Sequence, residues 1–174
     1  ILEVKQVEGK FKNERLERDA NKFRLAVDGA LDLVAIVDAH GYLTYVNKAL
    51  TSITGIKVEE AENKRVTDLW HLNDDINIWK QNFDKVVREK KPTQFSSWGV
   101  KKNGVKFETD IQISPIITNN SFVENLLIVE RDVTEEKQKE RIKNEFISVV
   151  SHELRTPMTV IRGYSTLLTE GKLG

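Results

Sequence analysis

Val105-Lys106-Phe107-Glu108-Thr109-Asp110-Ile111-Gln112-Ile113-Ser114 is the stretch on which the fold turns. Val105, Phe107, Thr109, Ile111 and Ile113 alternate with Lys106, Glu108, Asp110, Gln112 and Ser114, which is a strand with one dry face and one wet face. Lys102-Asn103-Gly104 just before it is a tight-turn signal, joining it to a strand over Phe95–Val100. Asn119-Asn120-Ser121 marks a second turn, and Phe122 to Arg131 reads as a last strand. Upstream, Leu33–Val37 and Tyr42–Val46 flank Asp38-Ala39-His40-Gly41, which is another hairpin. Between the hairpins lie short helical patches from Lys48 to Arg65, broken by Gly55. A longer helix follows over Asp74–Lys90, with Ile76, Trp79, Phe83, Val86 and Val87 on one face. Asp74 and Asp75 suit its start, and Pro92 ends it. Strand, strand, short helices, one longer helix and three strands make an α+β fold: a five-stranded sheet with its helices grouped on one face.

Helical segments flank this core. Lys5 to Arg24 is dense in alternating charge. Val4, Val7 and Phe11 share one face, and Leu16, Ala20, Phe23 and Val27 form a second seam after a break in register near Gly9. This predicts an amphipathic helix, either in an imperfect two-stranded coiled coil or lying singly on the domain that follows. At the other end, Asp132-Val133-Thr134-Glu135-Glu136 leads into a helix that runs to the end of the chain. Thr134 is placed to cap it, but Lys137 stands where a capping box has Glu or Gln, so the cap is partial.

Composition narrows the function classes. The 174 residues carry 27 Lys plus Arg and 27 Asp plus Glu, a net charge of zero, which argues against nucleic acid as an obligate partner. The absence of cysteine excludes disulfides, thiolate zinc sites, thiol nucleophiles and cysteinyl-cofactor adducts. No apolar run approaches the roughly eighteen residues that span a bilayer, so the expected setting is cytoplasmic. The chain opens on Ile1 and its only methionine is Met158, which reads as a piece of a longer protein.

The chemistry lies in the last helix. Ile147, Val150, Leu154, Pro157, Ile161, Tyr164 and Leu168 follow a 3-4 spacing, a bundle or coiled-coil seam with a proline inside it. At about 100° per residue, His152 falls roughly 160° from the centre of that seam, on the polar side with Ser148, Arg155 and Thr159. It is therefore presented to solvent, where another protein or domain can reach it. His152-Glu153 opens like a zinc-protease helix, but Thr156 occupies the position of the second histidine, so no metal site is expected.

Phe146-Ile147-Ser148-Val149-Val150-Ser151-His152-Glu153-Leu154-Arg155-Thr156-Pro157 resembles, residue for residue, the phosphoacceptor helix of sensor histidine kinases. The resemblance implies that His152 is the nucleophile that takes the γ-phosphate of ATP and passes it to an aspartate on a response regulator. It implies that Glu153 is the acid/base orienting the ring, and that Thr156 helps to place water for dephosphorylating the regulator. An imidazole with an ordinary pKa of about 6.5 has a free lone pair at neutral pH, which suits the first role. Pro157 leaves the Glu153 carbonyl without its helical donor, so a bend is expected just after the histidine.

Leu33–Asp38, Gly41, Tyr42–Asn47, the helix to Lys90 and the exit Arg131-Asp132-Val133-Thr134 resemble a PAS domain. That family folds as a five-stranded antiparallel sheet flanked by helices. The implied organisation is an N-terminal signal or coiled-coil helix over 1–22, a PAS sensor domain over 23–134, and a linker with the first helix of a dimerisation and histidine-phosphotransfer domain over 135–174. No glycine-rich nucleotide cradle is visible in the sequence, so ATP and Mg belong to a catalytic domain outside this stretch. Implied partners are a second copy of the chain, that ATP-binding domain, and a receiver domain. No cofactor is evident, and the PAS ligand is left open. Without cysteine a flavin adduct is excluded. Haem is disfavoured, because His71 sits in a polar stretch ahead of the long helix. Trp70, Trp79 and Trp98 are expected to pack a core rather than line a flavin site. The expected mechanism is a relay, in which a change in the PAS sheet shifts the helix beginning near Glu135. The alternative is a non-enzymatic PAS module for dimerisation or ligand binding.

Overall fold

The computed structural model describes the backbone of residues 2–71, 76–118 and 122–169, and side chains from 14 to 166 within those stretches. The elements are α1 (Leu2–Asp28), β1 (Leu33–Asp38), β2 (Leu43–Val46), α2 (Ala49–Thr54), α3 (Val58–Ala61), α4 (Ile76–Glu89), β3 (Thr93–Val100), β4 (Lys106–Ile117), β5 (Val123–Asp132) and α5 (Thr134–Thr169), with a 3-10 turn at Val66–Asp68. The five strands form one antiparallel sheet in the order β2-β1-β5-β4-β3. Two compact units result, Ile1–Val133 and Thr134–Gly174.

From Lys106 on, the alternation expected of β4 is present: Phe107, Thr109, Ile111 and Ile113 are buried, while Lys106, Asp110 and Gln112 are exposed; Val105, expected on the dry face, precedes the strand and is 53% exposed. Those four face a core that includes Leu33, Ala35, Val37, Leu50, Trp70, Trp79, Val86, Leu126 and Ile128. β4 also runs beyond the expected end at Ser114, through Pro115 to Ile117. Its pairing with β3 stops at Ile113, so Pro115, which lacks an N–H, sits on an open edge and pairs only with Leu126 of β5. α4 buries Trp79 and Val86 against β3 and β4, as its spacing requires. Asp74, Asp75 and the Asn119-Asn120-Ser121 turn lie outside the described residues.

The turns follow local chemistry. Asp38 Oδ1 accepts from the backbone N–H groups of His40 and Tyr42 at 2.8 and 3.0 Å, while Gly41 takes φ 85°, which a residue with a Cβ adopts only with strain. In the β3–β4 turn, Lys101 N–H donates to Val105 O and Gly104, with φ 84°, donates to Lys101 O.

α1 is continuous to Asp28, beyond the division expected after residue 22. Its last turn is tied to the sheet: Asn47 Nδ2 donates to Val27 O at 2.9 Å, and the Tyr45 hydroxyl donates to Asp28 Oδ1 at 3.2 Å. Leu16 and Phe23 are 58% and 66% exposed. Of the described seam residues, Ala20 is exposed as well and Val27 is half-buried. The seam members before Glu14 lie outside the described side chains.

Candidate functional site

Val133 is buried, and its N–H donates to Glu108 O at 2.9 Å, so the chain leaves β5 and enters the helix with no intervening loop. That contact makes Thr134 the first helical residue, one position inside the cap expected of it. Acidic Glu135 and Glu136 suit the first turn, and Lys139 Nζ donates to Glu135 Oε1 at 2.6 Å one turn on.

Along α5 the apolar seam stands open: Ile147, Leu154, Ile161 and Tyr164 are each at least 50% exposed. Leu168 lies outside the described side chains. His152 is on the far side, 78% exposed, with Nδ1 4.0 Å from Glu153 Oε1. From this distance a small side-chain rotation would bring Nδ1 within hydrogen-bond reach of Glu153. Arg155 and Thr156 are exposed on the next turn, and the Thr159 hydroxyl donates to Arg155 O at 2.8 Å. The helix continues through Pro157, so the Glu153 carbonyl loses its donor within an otherwise unbroken ladder. The helix therefore brings His152, Glu153 and Thr156 onto adjoining exposed positions. No pocket among the described residues encloses them, and the arrangement suits a nucleophile whose reaction partner arrives with another body.

Two features of the first unit were not visible in the sequence. A cavity of about 340 Å³ is lined by Gly41, Val66, Ile76, Trp79 and Phe83, with Arg65 and Lys80. Trp79 reaches it and Trp70 is buried elsewhere in the core, whereas Trp98, expected inside, projects from the wet face of β3 and is 39% exposed. The second feature is a buried polar cluster. Glu130 on β5 accepts from Trp70 Nε1 at 3.0 Å, and the same oxygen lies 3.6 Å from His71 Nε2. His71 was expected in a polar stretch. Instead its ring is fully buried, 4.3 Å from that of Trp79. Burial pushes the Glu130 carboxyl up to about 7, against the Trp70 hydrogen bond, and pushes the His71 imidazole down to about 3. The available signal for Glu130 was parity with Leu126 and Ile128, but Leu126-Leu127-Ile128-Val129 is apolar throughout and hides the period.

Residues 31–135 match the PAS domain family. The chain belongs to that family. Residues 142–174 match the His Kinase A phospho-acceptor domain, which makes this a PAS and phospho-acceptor segment of sensor histidine kinase type. Sporulation kinase C of Bacillus subtilis is 26% identical over 184 residues, covering 96% of this chain and 42% of that protein. Two-component system protein A of Emericella nidulans is 26% identical over 183 residues, covering 98% of this chain and 26% of that protein. Sensor protein kinase WalK of Staphylococcus aureus is 44% identical over 61 residues, 35% of this chain and 15% of that protein. The chain spans less than half the length of these curated relatives. The PAS fold is that of a PAS domain from Colwellia psychrerythraea (TM-score 0.61, 21% identity, 69% of this chain and 98% of the other). It is equally that of the PAS domain of an HTR-like protein from Haloarcula marismortui (TM-score 0.60, 16% identity, 71% and 98%). No helix among the described residues is long and apolar enough to cross a membrane.

Proposed function

We propose that this chain is the sensory and phospho-accepting part of a two-component sensor histidine kinase, working in the cytoplasm as a homodimer. The observation that carries the reading is His152, exposed on the polar face of the phospho-acceptor helix with Nδ1 turned toward Glu153. His152 Nε2 attacks the γ-phosphorus of ATP held by an ATP-binding domain of the parent protein; the bond to ADP breaks and ADP leaves. The proton on Nδ1 passes to Glu153, which acts as the base. A receiver-domain aspartate then attacks the phosphorus, the phosphorus–nitrogen bond breaks, and Glu153 returns the proton to Nδ1, which regenerates the neutral imidazole. Thr156, one helical turn on, positions the water that hydrolyses the regulator's phosphoaspartate. The open seam supports dimerisation, because pairing removes apolar surface from water.

The test is to mix the chain with the parent's ATP-binding domain and labelled ATP. Acid-labile, alkali-stable phosphate is expected on the wild type and none on His152→Gln. Absence of label on a wild type whose α5 is helical by circular dichroism would sink the proposal and leave a non-enzymatic PAS module.

A further inference from the structure

Buried polar side chains elsewhere in the core are satisfied. Asn47 makes three side-chain hydrogen bonds, and the Thr54 hydroxyl donates to Leu50 O. Around Glu130 they are not. His71 Nδ1 and Nε2, Trp79 Nε1, Thr109 Oγ1 and Glu130 Oε1 are all buried with no hydrogen-bond partner among the described residues. Native cores leave very few such atoms, and each costs free energy while it stays unpaired. An ionised Glu130 can only accept: Trp70 Nε1 donates to it, and the Thr109 hydroxyl beside it also favours the charged form. A neutral His71 carries one N–H and one lone pair, and neither has a partner among the described residues. The separation of 3.6 Å between Glu130 Oε2 and His71 Nε2 is too long for a hydrogen bond, yet a shift of under an ångström closes it. With the imidazole proton on Nδ1 and the lone pair on Nε2, what the cluster lacks is one hydrogen between those two atoms.

We propose that Glu130 and His71 form a one-proton site in the PAS core. A proton taken from solvent onto the Glu130 carboxyl closes an O–H···Nε2 bond to His71, and its release opens that bond. The site joins the two halves of the sheet. Glu130 lies on β5, paired with Leu33 of β1 and Ile111 of β4. His71 is bridged to Gly99 of β3, and Trp70 O accepts from Val100 N at 2.7 Å. Making or breaking the bond therefore loads β5 three residues before Val133, after which α5 begins.

The groups facing the site are few. Asp132 on β5 acts on Glu130 in the same direction as burial, and is itself paired with Lys101 at 3.4 Å. β4 contributes the Thr109 hydroxyl, α4 contributes Trp79 against the His71 ring, and β1 contributes Leu33. A cavity of about 260 Å³ reaches His71, Trp70 and Val100, carries the charged groups Glu60, Lys64, Lys101 and Lys102 on its wall, and offers a route for exchange with solvent. Because burial keeps His71 neutral down to about pH 3, the imidazole is an acceptor throughout the range in which Glu130 titrates. As a proton site this stands on the PAS core alone. As an input to α5 it rests on the phospho-acceptor reading above.

The test is a carboxyl NMR titration of the whole chain labelled at glutamate, with the Glu130 signal assigned by its loss in Glu130→Gln. The expected midpoint is near pH 7, with the Trp70 indole and the amides of residues 131–136 moving together with it. In Glu130→Gln those amides stop responding and rest at their low-pH positions. His71→Leu, which removes the acceptor, lowers the proton affinity of Glu130 about tenfold, the equivalent of one hydrogen bond. Titration of Glu130 in the ordinary carboxylate range, or a neutral midpoint unmoved by His71→Leu, overturns the proposal. If the variants fail to fold, infrared difference spectra of the wild type across neutral pH decide it: loss of a buried protonated-carboxyl band on raising the pH supports the site, and its absence overturns it. None of these readouts involves His152, so a failed phosphorylation assay is a separate result.

Discussion

Asn47 uses every hydrogen-bonding group of its side chain. Its amide nitrogen donates to Val27 O and Asp32 O at 2.9 and 3.0 Å, and its oxygen accepts from Val34 N–H at 3.0 Å. One fully buried side chain thus ties the end of α1 to the β1–β2 hairpin. Asn47→Ala removes three hydrogen bonds to the backbone, although Val27 O still accepts from Ala30 N–H, and is expected to lower unfolding free energy by about 2–4 kcal/mol in urea titrations. Asn47→Asp is expected to lose a similar amount, because a carboxylate cannot donate. At the other unit, Glu153 is 79% exposed, so Glu153→Gln should leave helicity and stability unchanged. It is expected to slow labelling of His152 about a hundredfold, the low end for a positioned base; an unchanged rate would remove Glu153 from the mechanism. These residues differ in how readable they were. His152, Glu153 and Thr156 lie within five positions of one another on one helix, so local spacing suffices. The partners of Asn47 lie 13 to 20 positions away, where no local pattern reaches.

At the scale of elements, β3 and β4 owe their close fit to Gly99. It pairs with Phe107, and a Cβ at Gly99 would overlap the Phe107 ring, which is buried and cannot swing aside. Gly99→Ala is expected to cost about 1–3 kcal/mol from overpacking, much of it recovered when Phe107→Leu is added, as denaturant midpoints of the single and double variants would show. α5 carries the opposite kind of defect. Pro157 interrupts the ladder of an exposed helix, so Pro157→Ala is expected to strengthen that turn by up to about 3 kcal/mol. Hydrogen exchange should slow across residues 154–161, and unchanged exchange would show that the proline does not weaken the helix. The strands were legible wherever polar residues mark the wet face, as in β4. The extension of β4 through Pro115 was not, because whether a proline can sit in a strand depends on the neighbour it is missing.

The whole molecule sets the response to pH, through two buried groups that pull in opposite directions. Glu130 rises from 4.5 to about 7 on folding, so its contribution is complete below pH 4.5 and is lost as pH climbs to 7. His71 falls from 6.5 to about 3, so its contribution is complete above pH 6.5 and is lost as pH drops toward 3. Between about 4.5 and 6.5 the two slopes offset each other. The stability advantage of wild type over Glu130→Gln should therefore shrink as pH rises from 4.5 to 7. That over His71→Leu should be unaffected by the imidazole above 6.5 and should fall below it. Denaturation of the three proteins at a series of pH values checks both signs, and parallel curves would refute the assignment.

The sequence by itself determined what short-range periodicity and turn chemistry encode: the dry face of β4, the Asp38–Gly41 and Lys102–Gly104 turns, the apolar face of α4, and the side of α5 on which His152 stands. Each depends on residues a few positions apart, whose geometry a strand or helix dictates locally. Only the tertiary structure decided that β1 lies between β2 and β5, and that β5 turns Glu130 inward rather than Arg131. It also brought Trp70 to Glu130 across 60 positions of chain. An unbroken apolar run carries no period to choose a face. The free energy that makes the choice comes from burying the whole sheet at once, which accepts one costly carboxyl beside one neutral imidazole.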